Sequence, residues 1–205
     1  APAAPRPSPD VAGEGAMGKA RADVWELEDS DRFSASGGRE VSEFEAKLIL
    51  KNDTRPVSEF FANRYEKEAG RMWDKFYKKN DKNFFKDRHY IHREWEDLVK
   101  GDGIKLLDAG CGVGNTVLPL LRLNPTMRVW ACDISPNAVE ILKQDPSFNA
   151  SRCEGWVADL TCDDVASRTG TGTMDFAVLI FVLSAIDPDL FVASLRNVAA
   201  ALKVG

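Results

Sequence analysis

Two neighbouring segments carry residue types suited to holding a nucleoside cofactor. An apolar run ends in a glycine-rich turn, Leu-Leu-Asp-Ala-Gly-Cys-Gly-Val-Gly over residues 106–114, and a second apolar run ends in a carboxylate, Val-Trp-Ala-Cys-Asp over residues 129–133. In an open α/β sheet, such a turn lets the backbone approach a ligand closely, and a carboxylate about 20 residues further on accepts hydrogen bonds from ribose hydroxyls. We therefore expect Gly110, Gly112 and Asp133 to contact a nucleoside.

The spacing of the glycines distinguishes two kinds of cofactor. A dinucleotide fingerprint, G-x-G-x-x-G, needs its third glycine at position 115, but that residue is Asn115 and the third glycine is Gly114. Gly114 is expected to belong to the cofactor-binding turn and to permit close helix packing. Asp108 enters the turn, and a carboxylate there suits a cationic ligand better than a pyrophosphate. The pattern favours S-adenosylmethionine, which carries positive sulfonium and α-amino groups. A glycine turn that binds no ligand is the alternative.

A third predicted strand end contributes Asp159, which can accept a hydrogen bond from the exocyclic amine of an adenine, with the backbone of Leu160 nearby. Two alternatives stay open from the residues alone. Asp133 could cap the helix that is predicted to begin after Ser135, and Asp159 could be an ordinary loop aspartate. No catalytic residue is predicted from the sequence.

The elements that must position these residues alternate along the chain. Strands are predicted over residues 104–108, 128–132, 152–158 and 174–183, and helices over 115–123, 136–144 and 188–202. This alternation predicts an α/β fold with a Rossmann-like, doubly wound parallel sheet and right-handed crossovers, in the strand order 3-2-1-4. The fourth strand is apolar nearly throughout, which is typical of a strand covered on both faces.

Three regions are expected along the chain. Residues 1–40 are predicted to be a disordered or weakly ordered arm, since residues 1–22 are rich in Ala, Pro and Gly and lack apolar periodicity. Residues 41–100 are predicted to be a helical extension, with helices over 42–51, 58–77 and 89–99, and residues 101–205 the cofactor-binding domain. An apolar stripe of helical period over 57–77, from Val57 through Phe60, Tyr65 and Trp73 to Tyr77, is expected to face the core.

The distribution of charge is more informative than its total. The net charge is −5, yet residues 51–93 carry 12 basic and 7 acidic side chains. Basic residues interleaved with aromatic ones suit phosphate contact and base stacking, which would make this segment an RNA-binding surface. The alternative is an ordinary solvated face whose aromatic residues belong to the core.

Cysteine usage and hydropathy exclude several classes of protein. The four cysteines lack C-x-x-C spacing and paired histidines, so neither a zinc site nor a disulfide framework is expected. No apolar run approaches the ~20 residues that span a bilayer, and no secretory signal is visible. We expect a cytoplasmic protein without metal or membrane association; a nuclear or mitochondrial location stays open.

Six segments together resemble one family. They are Lys-Asn-Asp-Thr-Arg-Pro-Val-Ser-Glu-Phe-Phe (51–61), Trp-Asp-Lys-Phe-Tyr-Lys-Lys-Asn (73–80), Phe-Phe-Lys-Asp-Arg-His (84–89), Gly-Cys-Gly-Val-Gly-Asn-Thr (110–116), Ala-Cys-Asp-Ile-Ser-Pro (131–136) and Ile-Phe-Val-Leu-Ser-Ala (180–185). The chain resembles the tRNA N3-methylcytidine methyltransferases, a class I S-adenosylmethionine-dependent family, over about residues 41–205. The second and third segments are the most specific.

The resemblance implies formation of 3-methylcytidine in a tRNA anticodon loop. Carried over by motif, Trp73 and Tyr77 would close over the cofactor. The residues expected to face the RNA lie in the basic segment: Lys78, Lys79, Lys86, Arg88 and His89. The fourth strand ends in Phe-Val-Leu-Ser, not in the Asn/Asp-Pro-Pro-aromatic motif of many exocyclic-amine methyltransferases, which fits a ring-nitrogen target. Whether a protein partner such as an aminoacyl-tRNA synthetase is needed stays open.

The chain departs from this family in ending soon after the fourth strand, where family members continue with further strands. It also begins with Ala1. We expect either a shortened form or a protein without independent activity, and a fourth strand that is an apolar sheet edge. The alternative function is a non-catalytic methyltransferase-like module that binds RNA or protein, and a methyltransferase acting on a protein or small molecule is a third hypothesis.

Overall fold

A parallel sheet of four strands lies at the centre of the residues described by the structure, a computed structural model that describes Ser42 and residues 57–204. The strands are β1 (Lys105–Ala109), β2 (Arg128–Asp133), β3 (Cys153–Val157) and β4 (Phe176–Val178). Their order is β3-β2-β1-β4, and every pair is parallel. The predicted α/β class and strand order are confirmed.

Helices precede the sheet and connect its strands. Within the described residues they are α1 (Glu59–Asn80), α2 (Ile91–Glu94), α3 (Asp97–Lys100), α4 (Val117–Leu123), α5 (Pro136–Gln144), α6 (Ala166–Thr169) and α7 (Phe191–Ala199), with 3-10 turns at Leu183–Ala185 and Pro188–Leu190. The predicted arm over residues 1–40 and the predicted helix over 42–51 lie outside the described residues, apart from Ser42. No described helix is long and apolar enough to cross a membrane.

The two faces of the sheet bury separate apolar clusters because neighbouring strand residues point to opposite sides. Leu106 packs on one face with residues of α4 and α5, such as Leu120 and Leu142. Leu107 packs on the other face with residues that include Val198 of α7. Helices therefore cover both faces, as a doubly wound sheet requires.

The apolar stripe of α1 divides into a packed half and an exposed half. Toward the carboxyl end of the helix, Trp73, Phe76 and Tyr77 pack against the body of the domain. Toward the amino end, the side chains of Phe60 and Tyr65 are exposed. The prediction that the whole stripe faces the core is therefore wrong for its first two turns.

Three predicted elements are shorter or broken in the structure. The predicted strand over 174–183 is reduced to β4: Met174 makes an isolated bridge to Leu202, and pairing with β1 ends at Val178, before the left-handed backbone of Phe181 (φ 61°). The predicted helix over 89–99 is interrupted at Trp95, whose φ and ψ of −130° and 77° are not helical. The predicted helix over 188–202 begins as a 3-10 turn, becomes α-helical at Phe191 and ends at Ala199.

Candidate functional site

A cleft opens at the carboxyl ends of the strands, beside the point between β1 and β4 where the connections change direction. Ligands bind at this place in open α/β sheets. The cleft holds about 890 Å³ of empty space, part of which is open solvent. The predicted site residues that line it are Trp73, Tyr77, Arg88, Gly110, Gly112, Asp133, Asp159 and Leu160.

Asp133 joins the glycine turn to the end of β2. Its Oδ2 accepts a hydrogen bond from the Gly112 backbone N–H at 2.8 Å, and its Oδ1 accepts one from the Ser135 N–H at 2.9 Å. The helix cap is Ser135 itself, whose Oγ accepts from the Ala138 N–H at 3.1 Å. The alternative that Asp133 caps α5 is therefore wrong. Burial raises the pKa of Asp133, and its two backbone hydrogen bonds oppose that rise.

The three glycines of the turn have left-handed backbone conformations, and each is closely covered. A Cβ on Gly110 would lie 2.3 Å from Val182 Cγ2, and one on Gly112 would lie 2.6 Å from Tyr77 Oη. At Gly114 a Cβ would lie 2.5 Å from a Leu142 methyl group, so this glycine permits close helix packing, as expected. Gly110 and Gly112 line the cleft, and Gly114 does not.

Asp108 is fully buried at the end of β1 and is not among the residues that line the cleft. Its Oδ2 has no hydrogen-bond partner among the described residues. Burial raises the pKa of Asp108 to about 7, the Arg88 charge lowers it, and the Asp133 charge adds to the rise. An unpaired carboxylate oxygen behind the glycine turn suits a ligand with a positively charged group in front of the turn. The expected S-adenosylmethionine carries such a group.

We predict that Asp108 makes the protein less stable as the pH rises. Its pKa is about 7 in the folded chain and near 3.8 when exposed, so between these values the folded state binds the extra proton. The free energy of unfolding should fall from about pH 4 to pH 7, by on the order of 4 kcal/mol from this group. Urea unfolding across this range, compared with Asp108→Asn, measures the difference.

The Asn variant should match the parent near pH 4 and exceed it in stability at pH 8, because its side chain stays neutral. Equal stabilities at both values of pH would contradict a proton on Asp108.

Helix α1 lies over the cleft and is fastened at the start of α5 by Asp74. The Asp74 Oδ1 accepts hydrogen bonds from Ser135 Oγ at 2.9 Å and from the Asn137 N–H at 2.8 Å, and Oδ2 accepts from Asn137 Nδ2 at 2.7 Å. The bond from the Asn137 backbone is the largest cause of the lowered pKa of Asp74. A carboxylate at a helix N-terminus is also favoured by the helix dipole. These contacts hold Trp73 and Tyr77 over the cleft.

We predict that Asp74→Ala lowers the free energy of unfolding by about 2 kcal/mol. The substitution leaves three donors at the start of α5 without their acceptor, and its cost should match the upper range measured for loss of a helix-capping side chain. Glu68→Ala on the same helix is the matched control. Glu68 pairs with Arg64 at 3.6 Å and Arg71 at 3.1 Å on the surface, and such pairs contribute about 0–1 kcal/mol. Urea unfolding of both variants should rank them in this order; the reverse order would contradict the role of Asp74.

Glu66 is a cleft residue that the sequence reasoning missed. Its Oε2 accepts a hydrogen bond from the Asp187 N–H at 3.2 Å, which fastens α1 to the segment after β4. Burial raises the pKa of Glu66, and the charges of Asp187 and Asp159 add to this. Its position seven residues before Trp73 and eleven before Tyr77 places it on the same helical face, a signal that the spacing contained.

Asn115, which occupies the position where a dinucleotide site has glycine, also lines the cleft. Its Nδ2 donates to the Phe85 carbonyl at 3.2 Å and to Asp87 Oδ1 at 3.3 Å, and its own carbonyl accepts from the Arg88 N–H at 2.8 Å. The asparagine therefore ties the loop before α2 to the glycine turn and brings Arg88 to the cleft.

Asp159 and Leu160 follow β3 and line the cleft on the side of the Asp133 carboxylate. Asp159 Oδ1 accepts hydrogen bonds from the Thr161 N–H at 2.9 Å and Thr161 Oγ1 at 2.6 Å. Asp159 thus forms a local turn, as the loop-aspartate alternative expected. Because it also lines the cleft, it could contact a ligand bound there.

The structure does not bring the residues expected to face RNA together at one place. Arg88 lines the cleft. Lys78 and Lys79 are exposed in the last turn of α1, and Lys86 lies with Lys82 in a second cleft beside α4. The exposed side chain of His89 stands just before α2 and lines neither cleft.

The four cysteines are free thiols, three of them buried and Cys162 exposed. Cys111 lines the cleft, and burial raises the pKa of its thiol well above the usual value. Among the described residues, no cluster of three or more His, Cys, Asp or Glu side chains could hold a metal ion.

Comparison with known proteins gives sequence and fold relatives. The family model described as a methyltransferase domain matches residues 107–205. The human "tRNA N(3)-cytidine methyltransferase METTL6" is 44% identical over 170 residues, which are 80% of this chain and 59% of the relative. The Schizosaccharomyces pombe "tRNA N(3)-methylcytidine methyltransferase trm141" is 39% identical over 152 residues, 73% of this chain and 61% of the relative. The chain thus spans about three fifths of the length of these relatives.

A solved structure of Haemonchus contortus phosphoethanolamine N-methyltransferase 1 matches with a TM-score of 0.51 and 15% identity, covering 70% of this chain and 31% of that one. At this identity the match shows the fold. The sequence matches extend upstream of the methyltransferase domain, since 170 aligned residues exceed the length of residues 107–205. By sequence, the chain is therefore a relative of the tRNA N(3)-methylcytidine methyltransferases, matched over 80% of its own length.

Proposed function

We propose that this protein binds S-adenosylmethionine in the cleft and forms 3-methylcytidine in the anticodon loop of a tRNA. The observation that carries the proposal is a cleft built from the glycine turn, Asp133 and the cover helix α1 in a chain 44% identical to a tRNA N(3)-cytidine methyltransferase. The relatives named in the comparison act on tRNA cytidine, and the residues of the cleft suit that chemistry.

The residues expected to bind the cofactor have separate roles. The Asp133 oxygens that position Gly112 and Ser135 retain lone pairs, and these accept from the ribose hydroxyls. Asp159 and the backbone of Leu160 meet the adenine. Trp73 and Tyr77 cover the bound molecule, and Asp108 supplies negative charge behind the glycine turn.

The proposed methyl transfer does not require a catalytic base to act first. The bound cofactor supplies an electrophilic methyl group, which neutral cytosine N3 accepts with its own lone pair, so no proton has to leave first. The nucleobase becomes cationic as the bond forms, and fixed negative charge in a water-poor site stabilises that change. Glu66, Asp133 and Asp159 supply it. The remaining requirement is alignment of the base, which must be unpaired or extruded.

Single-turnover methylation of bulk tRNA tests the proposal. Excess protein is mixed with tRNA and cofactor, and nucleosides are analysed by mass spectrometry for 3-methylcytidine. We expect the modified nucleoside with this protein and none with Asp133→Ala. Binding of tRNA without any 3-methylcytidine would support a non-catalytic RNA-binding module in place of the enzyme.

We predict that reversing the charge of Lys78 and Lys79 weakens tRNA binding and leaves cofactor affinity unchanged. Both side chains are exposed in the last turn of α1, and each phosphate contact contributes a slope of about −0.7 to −0.9 in the salt dependence of binding. The double variant Lys78→Glu/Lys79→Glu should therefore bind tRNA with a shallower salt slope, measured by filter binding.

The matched control reverses Lys143 and Arg196, two exposed residues on α5 and α7, and so makes the same change in net charge. If both double variants lose affinity equally, the effect belongs to total charge and not to this segment.

We also propose a cytoplasmic location, supported by the free thiols, which suit a reducing compartment. Microscopy of the tagged protein distinguishes it from a nuclear or mitochondrial one. A partner such as an aminoacyl-tRNA synthetase would reveal itself as a protein whose addition restores methylation to an inactive chain.

A further inference from the structure

Phe181 lies at the rim of the cleft with an unfavourable backbone conformation and an exposed aromatic ring. Its side chain is 74% exposed, and its φ of 61° is in the left-handed region, which a large side chain rarely adopts. Such a backbone conformation costs on the order of 1–3 kcal/mol and persists where surrounding structure enforces it. An exposed aromatic ring gains nothing from burial to offset this cost. Strain of this kind gathers at functional sites.

The neighbours of Phe181 explain how the ring is held outward. The next residue, Val182, packs so closely over Gly110 that a Cβ there would lie 2.3 Å from Val182 Cγ2. Ser184 Oγ donates a hydrogen bond to the Phe181 carbonyl at 3.2 Å, which closes the turn. With Val182 directed onto the glycine turn, the reversal at Phe181 leaves its ring at the mouth of the cleft.

Arg88 fixes one side of the ring. Its guanidinium carbon lies 5.6 Å from the Phe181 ring centroid, within the distance of a cation–π contact. The Arg88 backbone is held by the Asn115 carbonyl at 2.8 Å, so the guanidinium is presented from a fixed loop. The ring is thus supported by a cation, and its large exposed area remains available to a ligand.

We propose that Phe181, supported by Arg88, is the stacking platform for the pyrimidine base that is to be methylated. This rests on the proposed function. A flat, exposed ring at the mouth of a nucleoside cleft suits the face of an unpaired base, since base–aromatic stacking is effective for any base. The ring stands beside a cation and next to the glycine turn, an arrangement that favours a nucleobase over an apolar protein surface.

Photocrosslinking tests the platform without depending on methylation. An RNA stem-loop carries 5-iodocytidine at one unpaired loop position and is irradiated with the protein and S-adenosylhomocysteine; peptides are then mapped by mass spectrometry. We expect the crosslink at Phe181. Phe181→Leu should lose it, whereas Trp95→Leu, which removes another exposed aromatic ring, should keep it. A crosslink that maps to a different residue overturns the proposal.

Kinetics give an independent measurement. With Phe181→Leu, KM for the stem-loop should rise roughly 5- to 100-fold, as expected for loss of one stacked base, while the calorimetric affinity for S-adenosylhomocysteine stays unchanged. Phe181→Tyr should restore KM because it restores the ring. An unchanged KM in the Leu variant overturns the platform. If the parent protein forms the Phe181 crosslink but no 3-methylcytidine, the proposed function fails and the platform stands.

Discussion

Replacing Asp133 by alanine should abolish measurable cofactor binding. The carboxylate is 7% exposed and accepts hydrogen bonds from the Gly112 and Ser135 N–H groups, so its removal leaves two buried donors unpaired and takes away the acceptor for the ribose. Hydrogen bonds to a charged group contribute about 1.5–3 kcal/mol each. Loss of the two ribose bonds alone therefore predicts a fall in affinity of roughly 100-fold or more, measured by calorimetry with S-adenosylhomocysteine.

Two comparisons make this result specific. Asp133→Asn keeps the size of the side chain but turns one acceptor into a donor that meets a backbone N–H, so its affinity should fall between those of the parent and the Asp133→Ala variant. Asp102→Ala removes an exposed carboxylate before β1 and should bind as the parent does. An Asp133→Ala variant that melts cooperatively and still binds with the parent's affinity would rule out the ribose role.

The framework around Asp133 was predictable because its signals are local. An apolar run followed by glycines, and a serine before Pro136, predict a strand end and a helix cap from a few adjacent residues, and Ser135 does cap α5. The strand order follows from alternation and the right-handed crossover rule, which leave few arrangements to consider. The structure matches these expectations to within one or two residues at β1, β2 and α5.

The elements that differ from prediction are those decided by tertiary contacts. Residues 174–183 read as one apolar strand, yet the packing of Val182 on Gly110 draws the chain away after Val178. Nothing in the hydropathy of this run reveals that its end covers a turn formed about 70 residues earlier. For the same reason the sequence did not show which half of the α1 stripe would be packed.

The candidate site shows a similar division. The glycines and Asp133 carry a spacing that can be read directly, whereas Glu66 and Asn115 are recognised by what they contact. Asp74 lies within the family-like Trp-Asp-x-Phe-Tyr segment, but its function as the acceptor for three donors at the start of α5 depends on a contact across 61 and 63 residues of chain. Contacts between segments so far apart in the sequence can be identified only from the folded structure.

Replacing Gly112 by alanine should strongly destabilise the protein, and removing the hydroxyl oxygen of Tyr77 should restore part of the lost stability. The new Cβ would lie 2.6 Å from Tyr77 Oη, whereas the next atom, Tyr77 Cζ, is at 3.4 Å, an ordinary contact. The left-handed backbone (φ 53°) adds a cost of about 1–2 kcal/mol for any side chain. Overpacking typically costs ~1–3 kcal/mol, so urea unfolding should show a total loss of roughly 2–5 kcal/mol.

The two costs can be separated because the chain offers a matched glycine. Gly103 has a similar φ of 63° with nothing within 4 Å of its would-be Cβ, so Gly103→Ala measures the backbone cost alone. In the double variant Gly112→Ala/Tyr77→Phe the clashing oxygen is gone, and the unfolding free energy should recover toward that of Gly103→Ala. The recovery, taken as the coupling in a double-mutant cycle, measures how tightly Tyr77 closes over the glycine turn. A coupling near zero would mean that Tyr77 moves aside freely and that α1 does not hold the cleft closed.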